Sequence, residues 1–137
     1  MKRTLFTIIA LGVLIAGAIY CWQRSRVSVD GKNAPRTTIE FLKDSVDFGT
    51  FPYAETKRAV FRFRNTGAHP LIVKNATSSC GCAEIKWNKR PVAPGQTDSL
   101  TILFTPNSLG QFNKSVEIIC NTHPDKHLIS LKGFVEE

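Results

Sequence analysis

The sequence predicts an all-β domain, an immunoglobulin-like β-sandwich of about seven strands over residues 38–137, preceded by one N-terminal transmembrane or signal helix. Three observations predict it. Short runs rich in β-branched and aromatic residues recur from Thr38 onward, turn signals separate them roughly every ten residues, and an uncharged apolar run stands near the start of the chain.

The N-terminal element comes first. After Lys2 and Arg3, the run "LFTIIALGVLIAGAIYCW" carries no charge over 18 residues from Leu5 to Trp22. That length reaches the lower bound for a membrane-spanning helix, roughly 17 to 25 residues. Tyr20 and Trp22 stand where aromatic rings favour the headgroup boundary, and Arg24 and Arg26 follow at once. Residues 1–26 therefore read as a signal-anchor. Ala16-Gly17-Ala18 also has the small-x-small form of a signal-peptidase site, so a cleaved secreted form stays open, as does lipid attachment at Cys21. All three readings put the domain outside the cytoplasm, on the periplasmic side.

Residues 27–37 are short, polar and marked by Asp30-Gly31 and Pro35, the composition of a tether. The basic character of the chain belongs to this end. Of its 18 Lys and Arg residues, six fall at or before Arg36 against the single acid Asp30, leaving 12 basic and 10 acidic residues beyond. The domain has no basic stripe with interleaved aromatics, so no nucleic-acid partner is expected. The flanking cations fit anionic lipid, and the membrane is a partner through the helix.

The strands follow in order: "TTIEFL", "VDFGTF", "AVFRFRN", "PLIVKNAT", "SLTILFT", "KSVEIIC" and "LISLKGFV". Several alternate with period two. Phe61 and Phe63 oppose Arg62 and Arg64; Leu100, Ile102 and Phe104 oppose Thr101 and Leu103; Val116, Ile118 and Cys120 oppose Ser115, Glu117 and Ile119. Such a strand packs one face and wets the other. The turns "NTGAHP", "VAPGQTD", "TPNSLG" and "NTHPDK" stand between them.

These residues also carry a resemblance. Phe48-Gly49, Asn65-Thr66-Gly67, Pro70-Leu71, Ser79-Cys80-Gly81-Cys82 and Pro94-Gly95 are similar to the motifs of the bacterial family catalogued as domain of unknown function 1573. The resemblance covers residues 38–137. It implies an extracytoplasmic immunoglobulin-like fold, similar in architecture to pilus-chaperone and sperm-protein-type domains, and it implies no activity.

The chemistry that stands out is "SSCGC". A chain of 137 residues is about one domain's worth and needs no disulfide or metal for its size. Cys80, Cys82 and Cys120 are the disulfide candidates: one bridge from either Cys80 or Cys82 to Cys120 ties a loop to a late strand, whereas Cys80 to Cys82 closes a very small, more reducible ring. The pair Cys80 and Cys82 is alternatively a soft-metal site for Cu(I), with His69, His123 or His127 completing it, although one intervening residue does not match structural zinc spacing. A redox role requires an electropositive setting, for which the nearby sequence offers Lys74 and Lys86.

No nucleophile motif of the GxSxG type and no grouped carboxylates appear, so no enzyme activity and no cofactor are expected. Recognition is the leading expectation. Edge strands of an antiparallel sandwich accept a partner strand, and Arg62, Arg64 and Trp87 are candidate partner-surface residues for an envelope protein. The sequence therefore points to a membrane-anchored binding or assembly module, with thiol-based copper binding or redox exchange as the alternative.

Overall fold

The computed structural model describes residues 34–137, so the expected N-terminal helix, its cleavage site and Cys21 lie outside the described residues. Among the described residues no helix is long and apolar enough to cross a membrane.

Among the described residues eight strands form two sheets: β1 (Ile39–Phe41), β2 (Ser45–Pro52), β3 (Lys57–Asn65), β4 (Val73–Ser78), β5 (Ala83–Trp87), β6 (Thr97–Phe104), β7 (Gly110–Cys120) and β8 (Lys126–Glu136). One sheet runs β1-β3-β6-β5 and the other β2-β8-β7-β4. All pairings are antiparallel except β2 with β8. The expected all-β sandwich is present, with one strand more than the seven runs suggested. The addition is β5, whose Ala83, Ile85 and Trp87 turn toward the core while Glu84 and Lys86 face solvent.

The first two strands are one path that changes sheets. Leu42 donates its N–H to Arg62 O on β3, and two residues later Asp44 O accepts from Ser130 N on β8. Each half therefore covers only part of its neighbour. β2 also carries an irregularity between Asp47 and Thr50, where Gly49 takes φ +65°, a conformation open chiefly to glycine.

The alternation read from the sequence sets the core. Phe61, Phe63, Leu100, Ile102, Phe104, Val116, Ile118 and Cys120 are all buried, while Arg62 and Arg64 are exposed. Burying a Leu, Ile or Phe side chain contributes about 1.5 to 3 kcal/mol each. These inward rows drive the two sheets together.

The two ends of the sandwich differ in chemistry. The chain enters at the end formed by the β3–β4, β5–β6 and β7–β8 loops, and there every polar group of two buried asparagines is used. Asn65 Oδ1 accepts from Thr37 Oγ1 at 2.8 Å and Gly67 N at 3.1 Å, while its Nδ2 donates to His69 O and Val92 O, both at 2.8 Å. Asn121 Nδ2 donates to Pro35 O and Pro70 O, and its Oδ1 accepts from Ile72 N at 2.7 Å. Gly67 is required here, because a Cβ would meet Thr38 N at 2.6 Å. Thr122 Oγ1 donates to Pro124 O, which leaves it to accept from His127 Nε2 at 2.7 Å and fixes the proton of the neutral ring on Nε2.

Candidate functional site

At the opposite end, the cysteine loop carries the chain from β4, the edge of one sheet, to β5, the edge of the other. Its anchors are few. Ser79 N donates to Ser115 O at 3.0 Å, Ser115 N donates back to Ser79 Oγ at 3.2 Å, and Thr105 N donates to Cys82 O at 2.9 Å. Ser78 Oγ accepts from Cys80 N and lies 3.6 Å from Cys80 Sγ. Beneath the loop, Phe104 stacks on Phe112 with ring centroids 4.4 Å apart, and Phe48 and Phe51 complete an aromatic cluster.

Cys80 and Cys82 are joined as a disulfide across one residue. The longer bridge to Cys120 is replaced by this short one for a reason of register. Val73, at the start of β4, pairs with Cys120, whereas Cys80 follows the far end of the same strand. Cys120 remains a free thiol in the core, and burial pushes its pKa up to about 12, with Lys74 acting weakly the other way. By the chain-entropy argument a ring this small contributes about 1.5 kcal/mol, against about 4 for a loop of about 40 residues. The bridge is thus a weak staple.

The two cysteines are not equivalent. Cys82 is 8% exposed and packs in the core, Cys80 is half-buried at its rim, and Gly81 between them is exposed. Gly81 has neither a positive φ nor a crowded Cβ position, so neither backbone strain nor packing calls for glycine. Lys114 occupies the inward row of β7 between Phe112 and Val116, opposite Leu131, and is half-buried one residue from the Ser115 that holds Ser79. A lysine in a row of apolar residues was visible in "FNKSVEIIC", but its register beside the cysteine loop depends on a strand pairing that sequence does not display.

The histidines are elsewhere. His69 and His123 occupy the loops of the entry end, His123 accepting from Arg36 at 3.0 Å through Nδ1, and His127 pairs with Ile118 low on β8. Burial holds the His127 pKa below its usual value, opposed by the Pro124 backbone and Asp125. Among the described residues no three His, Cys, Asp or Glu side chains gather as a metal site. Of the candidate partner-surface residues, Arg62 and Arg64 are exposed on the outer face of β3, with Arg64 Nε donating to Gly95 O. Trp87 is committed inward: its Nε1 donates to Val73 O, closing the gap between β5 and β4, and Lys89 lies over its ring.

Two further features share the cysteine end. An open apolar groove of about 570 Å³ is lined by Pro52, Tyr53, Ala54, Ser108, Leu109 and Glu137. Beside the cysteine loop, β7 outruns β4. Residues 110–114 pair with β8 on one side only, and strand alternation turns the backbone N–H and C=O of Gln111 and Asn113 to the side that β4 leaves vacant. These sites escaped the sequence reading because strand lengths and pairings decide them.

With this geometry in hand the comparisons are decisive for kinship. The model of a protein family of unknown function, DUF1573, matches residues 39–135. The chain belongs to the DUF1573 family. No protein of curated function matches it. Among solved structures, a protein of unknown function from Porphyromonas gingivalis W83 is similar with TM-score 0.66 and 22% identity over 78% of this chain. The match spans 50% of that protein, so this chain covers about half of its length. PapD-like domain 7 of human CEP192 is similar with TM-score 0.62 and 15% identity, over 75% of this chain and 88% of that domain. The Vibrio cholerae protease VesB has a similar part, with TM-score 0.56 and 14% identity over 72% of this chain and 32% of its own. At these identities the likeness is one of fold: this DUF1573 domain is similar in its all-β sandwich to a PapD-like domain.

Proposed function

We propose that the chain is a membrane-anchored, extracytoplasmic binding or assembly module of the bacterial cell envelope, without catalytic activity of its own, that takes an extended segment of a partner protein along β7. The observation that carries this reading is the unpaired side of residues 110–114. An extended segment laid there gains main-chain hydrogen bonds to Gln111 and Asn113, with the exposed apolar groove of Tyr53 and Leu109 available at the same end. Anchoring rests on the uncharged run from Leu5 to Trp22 and the cations behind it.

The test is a photo-crosslinking side chain at Gln111 in the full chain, expressed in its own envelope. A discrete protein adduct is expected from Gln111 and none from the same probe at Glu40, at the entry end. Asn113→Pro removes an N–H that no strand accepts and is expected to abolish the adduct while leaving the circular-dichroism spectrum unchanged. An adduct that survives Asn113→Pro, or that forms equally at Glu40, contradicts the reading.

A further inference from the structure

The Cys80–Cys82 bridge is poorly explained as a staple. It joins residues one apart in sequence, in a loop already held by Ser115 and Thr105. Its surroundings instead have the features that thiol–disulfide exchange requires. Cys80 is half-buried at the rim and Cys82 is packed in the core, which makes Cys80 the point of attack. Gly81 puts no side chain over the bridge, and the space about its Cβ position is empty, so an incoming thiol can approach. Lys114, a half-buried residue abreast of the loop by register, supplies a positive charge that favours the anions exchange brings in and releases.

We propose that this bridge captures a partner protein's cysteine covalently and reversibly. The partner thiolate attacks Cys80 Sγ, a new sulfur–sulfur bond forms, the Cys80–Cys82 bond breaks, and Cys82 leaves as a thiolate that takes a proton from water. The products are a Cys80–partner mixed disulfide and a Cys82 thiol, with no net oxidant or reductant consumed. Release is the reverse step. Cys82 is held one residue away, so its attack on the mixed disulfide is intramolecular and returns the partner thiol. This goes beyond the docking reading and does not depend on it: exchange needs only the loop, while docking needs only the β7 edge.

The test uses the full chain in detergent, with reduced glutathione as the probe thiol, acid quenching, alkylation and peptide fragmentation to locate adducts. The expected result is a glutathione adduct on Cys80 that exceeds any on Cys82 by about tenfold or more, with Cys82 becoming alkylatable and Cys120 untouched. Lys114→Gln is expected to slow the exchange by about threefold or more without changing where the adduct forms. In Cys82→Ala, oxidised glutathione is expected to leave a Cys80 adduct that no longer reverses on dilution. A bridge that opens only in denaturant, or adducts equal on the two cysteines, overturns the proposal. An unchanged rate in Lys114→Gln overturns the role given to that charge.

Discussion

At the end where the chain enters, all four buried polar side chains of the described domain, Thr37, Asn65, Asn121 and Thr122, are hydrogen-bonded, and the two asparagines tie loop to loop; at the cysteine end the loops rest on phenylalanines and a bridge that spans one residue. The contrast teaches which covalent and non-covalent ties hold the sandwich. Asn65 and Asn121 connect the entry segment with the β3–β4, β5–β6 and β7–β8 loops, so removing either leaves several buried partners unsatisfied at once. The disulfide connects neighbours that the backbone already keeps together. The proposed binding and exchange both use the looser end, where one side of β7 is unpaired and Cys80 sits at the rim.

The largest expected effect breaks the contrast at its strong side. Asn65→Ala orphans the Gly67 N–H, the Thr37 hydroxyl and the His69 carbonyl, while Val92 O keeps the Leu71 N–H, and is expected to cost roughly 3 kcal/mol in urea unfolding. Next comes Gly67→Ala, which forces a Cβ against the Thr38 backbone and is expected to cost about 2 kcal/mol by the same measurement. Reduction of the Cys80–Cys82 bridge follows, with a loss of about 1.5 kcal/mol or less in the urea midpoint compared with and without reductant. Such an ordering, with an asparagine outranking a disulfide, would sharpen the division between the two ends.

Smaller effects concern titration. The folded His127 pKa lies below its unfolded value of 6.5, so the unfolded chain binds the proton more readily. The resulting stability is fully present above pH 6.5 and is lost as pH falls through the folded pKa. His127→Gln is expected to flatten that part of the stability-against-pH curve measured by thermal melts. Cys120, with its pKa at about 12, is expected to resist iodoacetamide in the native domain at mildly alkaline pH and to react once the domain unfolds, as read by mass.

Much of the sandwich was legible because its central strands obey strict alternation: β3, β6 and β7 each put phenylalanine, leucine, isoleucine or valine on one face. β5 was missed because it spans five residues, two of them charged, and abuts a stretch whose cysteines invite a chemical reading. Its Ala83-Ile85-Trp87 alternation was nonetheless present. Asn65 and Asn121 read only as turn residues, yet "NTGAHP" and "NTHPDK" both open on Asn-Thr, a shared signal for a shared task. The pairing of Cys80 with Cys82 was one of three open choices. It is settled by the β4–β7 register, which no local pattern encodes.

Native-state hydrogen exchange on the full chain, oxidised and then reduced, tests most directly whether the cysteine end is separable from the fold. The account predicts faster exchange confined to residues 78–83 and 110–115 on reduction, with residues 65–72 and 121–125 protected as before. Faster exchange across both ends would contradict it, because the small bridge would then be holding the whole sandwich.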